Sequence, residues 1–210
     1  MSLKASAAAI TALALSSGAA GAVTFQGEFW DTGSLSGIAD AEAAILSSPT
    51  ALFTSSGIDY PNGDRNTFPS ATTTVEQFLG VDGASLTGSN ATPFETSVFR
   101  FTGQIYLSGG AQTFSVSSDD GFWLDVDGIR VAEFASNRGF RTTTVVDSSF
   151  TAGFYDFELV YWENTGSGGI EAALNGATLE PVPLPASLSL ALAGFAGLGV
   201  AARRRARRRA

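Results

Sequence analysis

The fold expected of this chain is all-β, an antiparallel sandwich or barrel, and three observations predict it. Short runs rich in phenylalanine, valine and threonine are separated by glycine, asparagine and aspartate. One run, Phe154–Trp162, alternates strictly. Tyr155, Phe157, Leu159 and Tyr161 fall on one face, with Asp156 and Glu158 on the other, the pattern of an antiparallel strand with one wet face. The dipeptide Asp127-Gly128 separates two further runs, where a two-residue hairpin needs positive φ at both central positions.

The chain opens on an address. Lys4 precedes the apolar stretch Ala5–Leu15, and small residues follow, ending Ala20-Gly21-Ala22. That order reads as a secretory signal peptide over residues 1–22, cleaved to leave Val23 first. The alternative is an N-terminal helix of the domain. The domain itself spans 23–181. Phe25–Trp30 is its opening strand. Ile38–Leu46 and Thr74–Leu79 read as short helices, with the polar loop Ser55–Ser70 between them. In the second, Thr73 is placed to cap, Glu76 follows three residues later and Gly80 marks the stop. Strands then come in pairs. Val98–Leu107 and Gln112–Ser118 flank Gly109-Gly110. Phe122–Val126 and Ile129–Phe134 flank Asp127-Gly128. Arg141–Phe150 and Phe154–Trp162 flank Gly153, and Ile170–Leu174 closes the set.

The C-terminal segment, 182–210, is a second address. Pro181-Val182-Pro183-Leu184-Pro185-Ala186 is rigid and helix-breaking, and Ser187–Ala202 carries no charge. A helix over 184–202 would be about 28 Å long, against a hydrocarbon core of about 30 Å. The arginines at 203–205 and 207–209 would stay cytoplasmic, leaving the domain outside. A soluble protein with a sticky helix is the alternative. The sequence Val182, Pro183, Leu184, Pro185, Ala186, then apolar helix, then arginine cluster, resembles the VPLPA variant of PEP-CTERM sorting tails. That resemblance implies a transient inner-membrane anchor, processed by an exosortase-type membrane enzyme.

Composition narrows the chemistry. All 20 acidic residues lie between Glu28 and Glu180, where only five arginines and no lysine oppose them, leaving the domain near −15. A face able to displace counterions from phosphates is missing, so nucleic acid is excluded as a partner. With no cysteine there are no disulfides, thiolate metal sites or thiol catalysis. With no histidine there is no serine–histidine triad. Carboxylate, amide, hydroxyl and backbone oxygen remain, donors suited to hard cations and sugars.

Several segments share an order and spacing with one family. They are Phe99-Arg100-Phe101-Thr102-Gly103, Thr113–Gly121 with its Asp119-Asp120-Gly121 end, Val126-Asp127-Gly128, Ala152-Gly153-Phe154-Tyr155, and Leu159–Asn164. Together they resemble the PA-fourteen (protective-antigen-fourteen) domain and its GLEYA-like fungal adhesin relatives, and Gly27-Glu28-Phe29-Trp30 fits the opening strand. The resemblance implies a β-sandwich or barrel. In sugar-binding members an Asp-Asp pair joined by a cis peptide, with a later loop, holds Ca²⁺ against glycan hydroxyls. By that resemblance the metal ligands here are Asp119, Asp120 and Asn164, with Glu163 a second candidate beside Asn164 and a carbonyl of the Thr165–Gly169 loop added. On their own chemistry, adjacent strand residues point to opposite faces, so one ion reaches both carboxylates only where the chain bends. Asp-Asp-Gly is also a plain turn sequence. Trp162 and Phe140 are available to stack on a sugar, or to pack. Asn62-Gly63-Asp64-Arg65-Asn66 offers oxygens two apart and equally reads as a turn.

The expected function is non-enzymatic: an exported, surface-directed module binding extracellular polysaccharide or cell-surface glycan through Ca²⁺. One alternative is a purely structural matrix module. Another is a glycoside hydrolase built on two of Asp119, Asp120, Asp125 and Glu163, which the sequence supports with no cleft. No catalytic residue is assigned.

Overall fold

The computed structural model describes residues 23–61, 68–88 and 91–182. The signal-peptide segment, the 62–66 candidate and the sorting motif beyond Val182 lie outside the described residues. The remainder is mostly antiparallel β-structure in two sheets.

Strand β1 (Phe25–Asp31) is followed by helix α1 (Ile38–Ala44) and the short strands β2 (Ala51–Ser55), β3 (Asp59–Tyr60) and β4 (Phe68–Pro69). Helix α2 (Val75–Leu79) runs into a 3₁₀ turn, Gly80–Ser85, and strand β5 (Thr87–Gly88). The capping box sits one residue later than the sequence suggested. Thr74 Oγ1 accepts from Gln77 N–H, and the Gln77 side chain accepts from Thr74 N–H. Val75, Phe78 and Leu79 of this helix are buried in the core.

The second half is regular. It comprises β6 (Ser97–Ser108), β7 (Gln112–Asp119), β8 (Gly121–Val126), β9 (Ile129–Phe134), β10 (Arg141–Asp147), β11 (Ala152–Glu163), β12 (Ser167–Leu174) and β13 (Ala177–Thr178). Asp127 and Gly128 take φ of 55° and 75°, the hairpin their sequence requires. β10 ends at Asp147, three residues short of the expected end, and Phe150 folds inward to pack on Phe114 and Tyr155.

The larger sheet has the order β5-β2-β1-β6-β11-β8-β9. The other has β10-β7-β12-β13, with β3 and β4 added to β12. Alternate residues of each strand meet between the sheets: Phe25 and Phe29 of β1, Phe99 and Phe101 of β6, Phe114 and Val116 of β7. On the outer face of the larger sheet a second apolar cluster forms from Trp30, Val98, Trp123, Val160 and Trp162, roofed by Leu35 and by Ala41 of α1. The long β6–β11 pairing fixes direction: Glu163 lies opposite Ser97, and Asp156 opposite Gln104. The last described residue, Val182, donates its N–H to the Gln104 carbonyl.

Among the described residues no helix is long and apolar enough to cross a membrane.

Candidate metal centre

β7 belongs to the smaller sheet and β8 to the larger, so the chain changes sheets at Asp120. The Asp119–Asp120 peptide bond is cis. Gly121 then has to be glycine for a packing reason, because a side chain there would enter the Trp162 ring. The Asp-Asp-Gly run is therefore an inter-sheet corner, where a simple turn was the alternative.

Three carboxylates converge at this corner. Ligand oxygens of Asp119, Asp120 and Glu163 all lie within 4.8 Å of one another. Glu163 comes from the inward face of β11 and is fully buried, while Asp119 is the least buried of the three. Each is held by main chain or hydroxyl. Asp120 Oδ1 accepts from Arg138 N–H at 3.0 Å and its Oδ2 from Asn164 N–H at 2.8 Å. Tyr161 donates its hydroxyl proton to the Asp119 carbonyl at 2.6 Å and receives Gly169 N–H at 3.1 Å. Gly168 leaves room beneath, since a Cβ there would lie 2.8 Å from Tyr161 Oη and 2.9 Å from Glu163 Oε2.

The electrostatics are those of charge only partly compensated: Arg138 attracts Asp119 without forming an ion pair with it. The ion pairs among the described residues are Arg100–Glu28, Arg130–Asp125 and Arg130–Glu133, and none reaches the cluster. Burial, then the Asp120 and Asp119 carboxylates, push Glu163 up to about 8. Burial and then Asp120 push Asp119 up to about 6. Asp120 is also raised by burial, against the pull of the Asn164 and Arg138 amides. Glu163 Oε1 is buried without a hydrogen-bond partner. Three adjacent carboxylates with an orphaned inner oxygen either hold protons or accept a cation, and the all-oxygen donor set suits a hard divalent ion.

The predicted ligands thus meet in part. Asp119 and Asp120 are together, and Glu163 joins them. Asn164 is adjacent, but its Oδ1 accepts from Leu35 N–H at 3.0 Å, tying the β1–α1 loop to the site. Trp162 is fully buried against Trp123, and its indole N–H donates to Asn137 Oδ1 at 2.9 Å, so it packs and does not stack on sugar. Phe140 stays half-buried and lines a recess of about 370 Å³ with Phe134, Arg138, Gly139 and Arg141. The position of that recess had no sequence signal except its two arginines. A larger groove of about 490 Å³ lies elsewhere, on the outer face of β6, β11 and β8. There Gln104 Nε2 donates to Asp156 and Arg130 Nε to Asp125, while Gln104 Oε1 is buried without a partner among the described residues.

No protein-family model matches the chain, and no curated protein matches it. Solved structures do. The PA14 domain of the MpAFP antifreeze protein superimposes with a TM-score of 0.65 at 22% identity, over 74% of this chain and 85% of that one. The fold is PA14-like. A PA14 sugar-binding domain from an RTX adhesin gives a TM-score of 0.64 at 26% identity, over 75% and 93%. The A domain of epithelial adhesin 6 from Candida glabrata, solved with Galβ1-3GlcNAc, gives 0.53 at 12% identity, over 77% and 81%. Of these PA14-like folds, the second is a sugar-binding domain of an adhesin and the third an adhesin domain.

Proposed function

We propose that this chain is an exported, surface-directed and non-enzymatic module that binds glycan through Ca²⁺ at the Asp119–Asp120 corner. The observation that carries the reading is the trio of carboxylates, within 4.8 Å and without an ion pair among the described residues, at an inter-sheet corner of a PA14-like sandwich. Asp119, Asp120 and Glu163 would hold the ion, with Asn164 and a carbonyl of the 165–169 loop beside them. A bound Ca²⁺ supplies vacant coordination positions for vicinal sugar hydroxyls. The chain's own part is to position the donors. The β7–β8 corner presents Asp119 outward. The Arg138 and Asn164 amides fix both oxygens of Asp120. The sugar-binding and adhesin domains that share the fold support the glycan half of the reading. The partner is extracellular polysaccharide or a cell-surface glycan. The Val182–Ala186 motif is the exosortase-type processing signal, with passage through the inner membrane.

Calorimetry tests it. The parent chain should bind Ca²⁺, Asp120→Asn should bind it at least about tenfold more weakly, and glycan retention should vanish in chelator. No uptake of Ca²⁺ at millimolar concentration ends the reading. The structural-module alternative then takes over, supported by the hydrogen bonds that Asp120 already makes to two loops.

A further inference from the structure

We propose that the glycan bound at this corner is acidic, a polysaccharide with uronate residues whose carboxylate sits between Arg138 and Arg141. The inference rests on the glycan reading above and adds the charge of the ligand. It starts from where the few cations of the domain are. In a domain near −15, Arg100 is spent on Glu28, and Arg130 on Asp125 and Glu133. Arg138 and Arg141 make no ion pair among the described residues, yet they stand close enough to repel each other. Both line the 370 Å³ recess.

The recess adjoins the carboxylate trio. Main-chain N–H groups of the same loop hold both aspartates: Arg138 donates to Asp120, and Phe140 to Asp119. Arg138 is fixed by neutral groups. Its two Nη atoms donate to Thr143 Oγ1 and Ser118 Oγ, each at 2.9 Å, and its guanidinium lies 4.2 Å over the Phe134 ring. Its Nε is buried and unpartnered. Arg141, at the start of β10, is exposed. So the recess is lined by a cation held by two hydroxyls, a second, exposed cation and a half-exposed aromatic ring. An anion placed there relieves the repulsion between the guanidiniums and meets the exposed fork of Arg141, which matches a carboxylate, beside the charge of Arg138, whose Nη atoms are already engaged. Phe140 offers a face to the C–H side of a pyranose. Because Phe140 N–H holds Asp119, hydroxyls of the same ring, or of its neighbour, would come within reach of an ion there. Asp119 is the opposite charge acting on Arg138, and an ion held by the trio would draw on that carboxylate; a neutral hexose would then leave both guanidiniums without an anion.

The test uses the full chain and short galacturonate oligomers, too short to gel, beside the same oligomers with their carboxyl groups reduced to neutral galactose. Each is titrated calorimetrically at saturating Ca²⁺ and again in chelator. The galacturonate oligomer should bind about tenfold or more tightly than the reduced one, since hydrogen bonds to a charged group are at stake. Arg141→Gln should erase that difference, Arg141→Lys should retain part of it, and added salt should weaken it. Unchanged melting temperatures show that the variants fold. Equal binding of the reduced oligomer in Ca²⁺ overturns the acidic ligand and leaves the Ca²⁺–glycan reading standing. Galacturonate binding that survives chelator, stays selective for the carboxylate and falls in Arg141→Gln supports the inference and removes the ion from it. Equal binding of a sulfated neutral oligomer shows an anion site of another kind and overturns the uronate. Failure of every oligomer overturns the inference.

Discussion

In chelator, raising the pH should destabilise this domain, and Glu163→Gln should remove most of that sensitivity. Burial and two neighbouring carboxylates raise Glu163 from 4.5 to about 8, and Asp119 from 3.8 to about 6. Between the unfolded and folded values, the native chain keeps protons that the unfolded chain has already released. Its stability is therefore fully present below about 4 and is lost as pH climbs through about 8. For Glu163 alone, the span from 4.5 to about 8 corresponds to about 5 kcal/mol. The three carboxylates share one repulsion, so about 2–5 kcal/mol brackets the loss. In a domain of this size 1 kcal/mol moves Tm by about 2–4 °C, which gives a fall of roughly 4–20 °C between about pH 5 and pH 9. Asp40 and Asp147, which hydrogen bonds from Ser36 and Ser149 lower, titrate below that window and contribute with the opposite sign. Circular-dichroism melts across the range measure the slope. Saturating Ca²⁺, which favours the ionised cluster, should flatten it. A parent Tm that is flat from pH 5 to 9 in chelator, or an unchanged slope in Glu163→Gln, would refute the account of the cluster as charge only partly compensated.

Other outcomes follow from the same contacts. Gly121→Ala forces a methyl into the Trp162 ring and should cost about 2–3 kcal/mol, read as a lower urea midpoint with an unchanged m value. Tyr161→Phe removes the donor to the Asp119 carbonyl and the acceptor of Gly169 N–H, for about 1–3 kcal/mol and weaker Ca²⁺ binding by calorimetry. Thr74→Ala opens the capping box of α2 and should cost about 1 kcal/mol in a denaturant titration, while Thr73→Ala leaves the box intact. Intact-mass measurement of exported chain should find Val23 first and the arginine cluster absent. Met1 together with Arg209 in a soluble fraction would contradict both addresses.

The strands from β6 to β12 were legible because alternation and turn residues are local properties. Asp127-Gly128 and the Phe154–Trp162 alternation specify their own geometry. The short strands β2 to β5 were not. Ala51–Ser55 becomes a strand because Phe25–Phe29 lies beside it in β1, and Thr87–Gly88 because Ala51–Leu52 does. No pattern inside those segments announces a partner so far away in the chain. The aspartate pair was readable from its family resemblance, and Glu163 from its place beside Asn164. Two features depended on tertiary packing alone. One is the hydrogen bond from Leu35 to Asn164, which joins residues 129 positions apart. The other is the roof of α1, which turns Trp162 from an available ring into core.

The register of β6 against β11 also sets how far the last described residue lies from the acidic corner. Val182 leaves along Gln104, while the carboxylates sit where Glu163 meets Ser97. Seven residues of strand separate those rungs, a distance of about 23 Å. The described chain therefore ends well down the strands from the acidic corner. A surface that held many copies close to that end would leave their acidic corners about 23 Å from it. Polymer strands could then run laterally from one corner to the next, and individually weak contacts would add along a strand through multivalency.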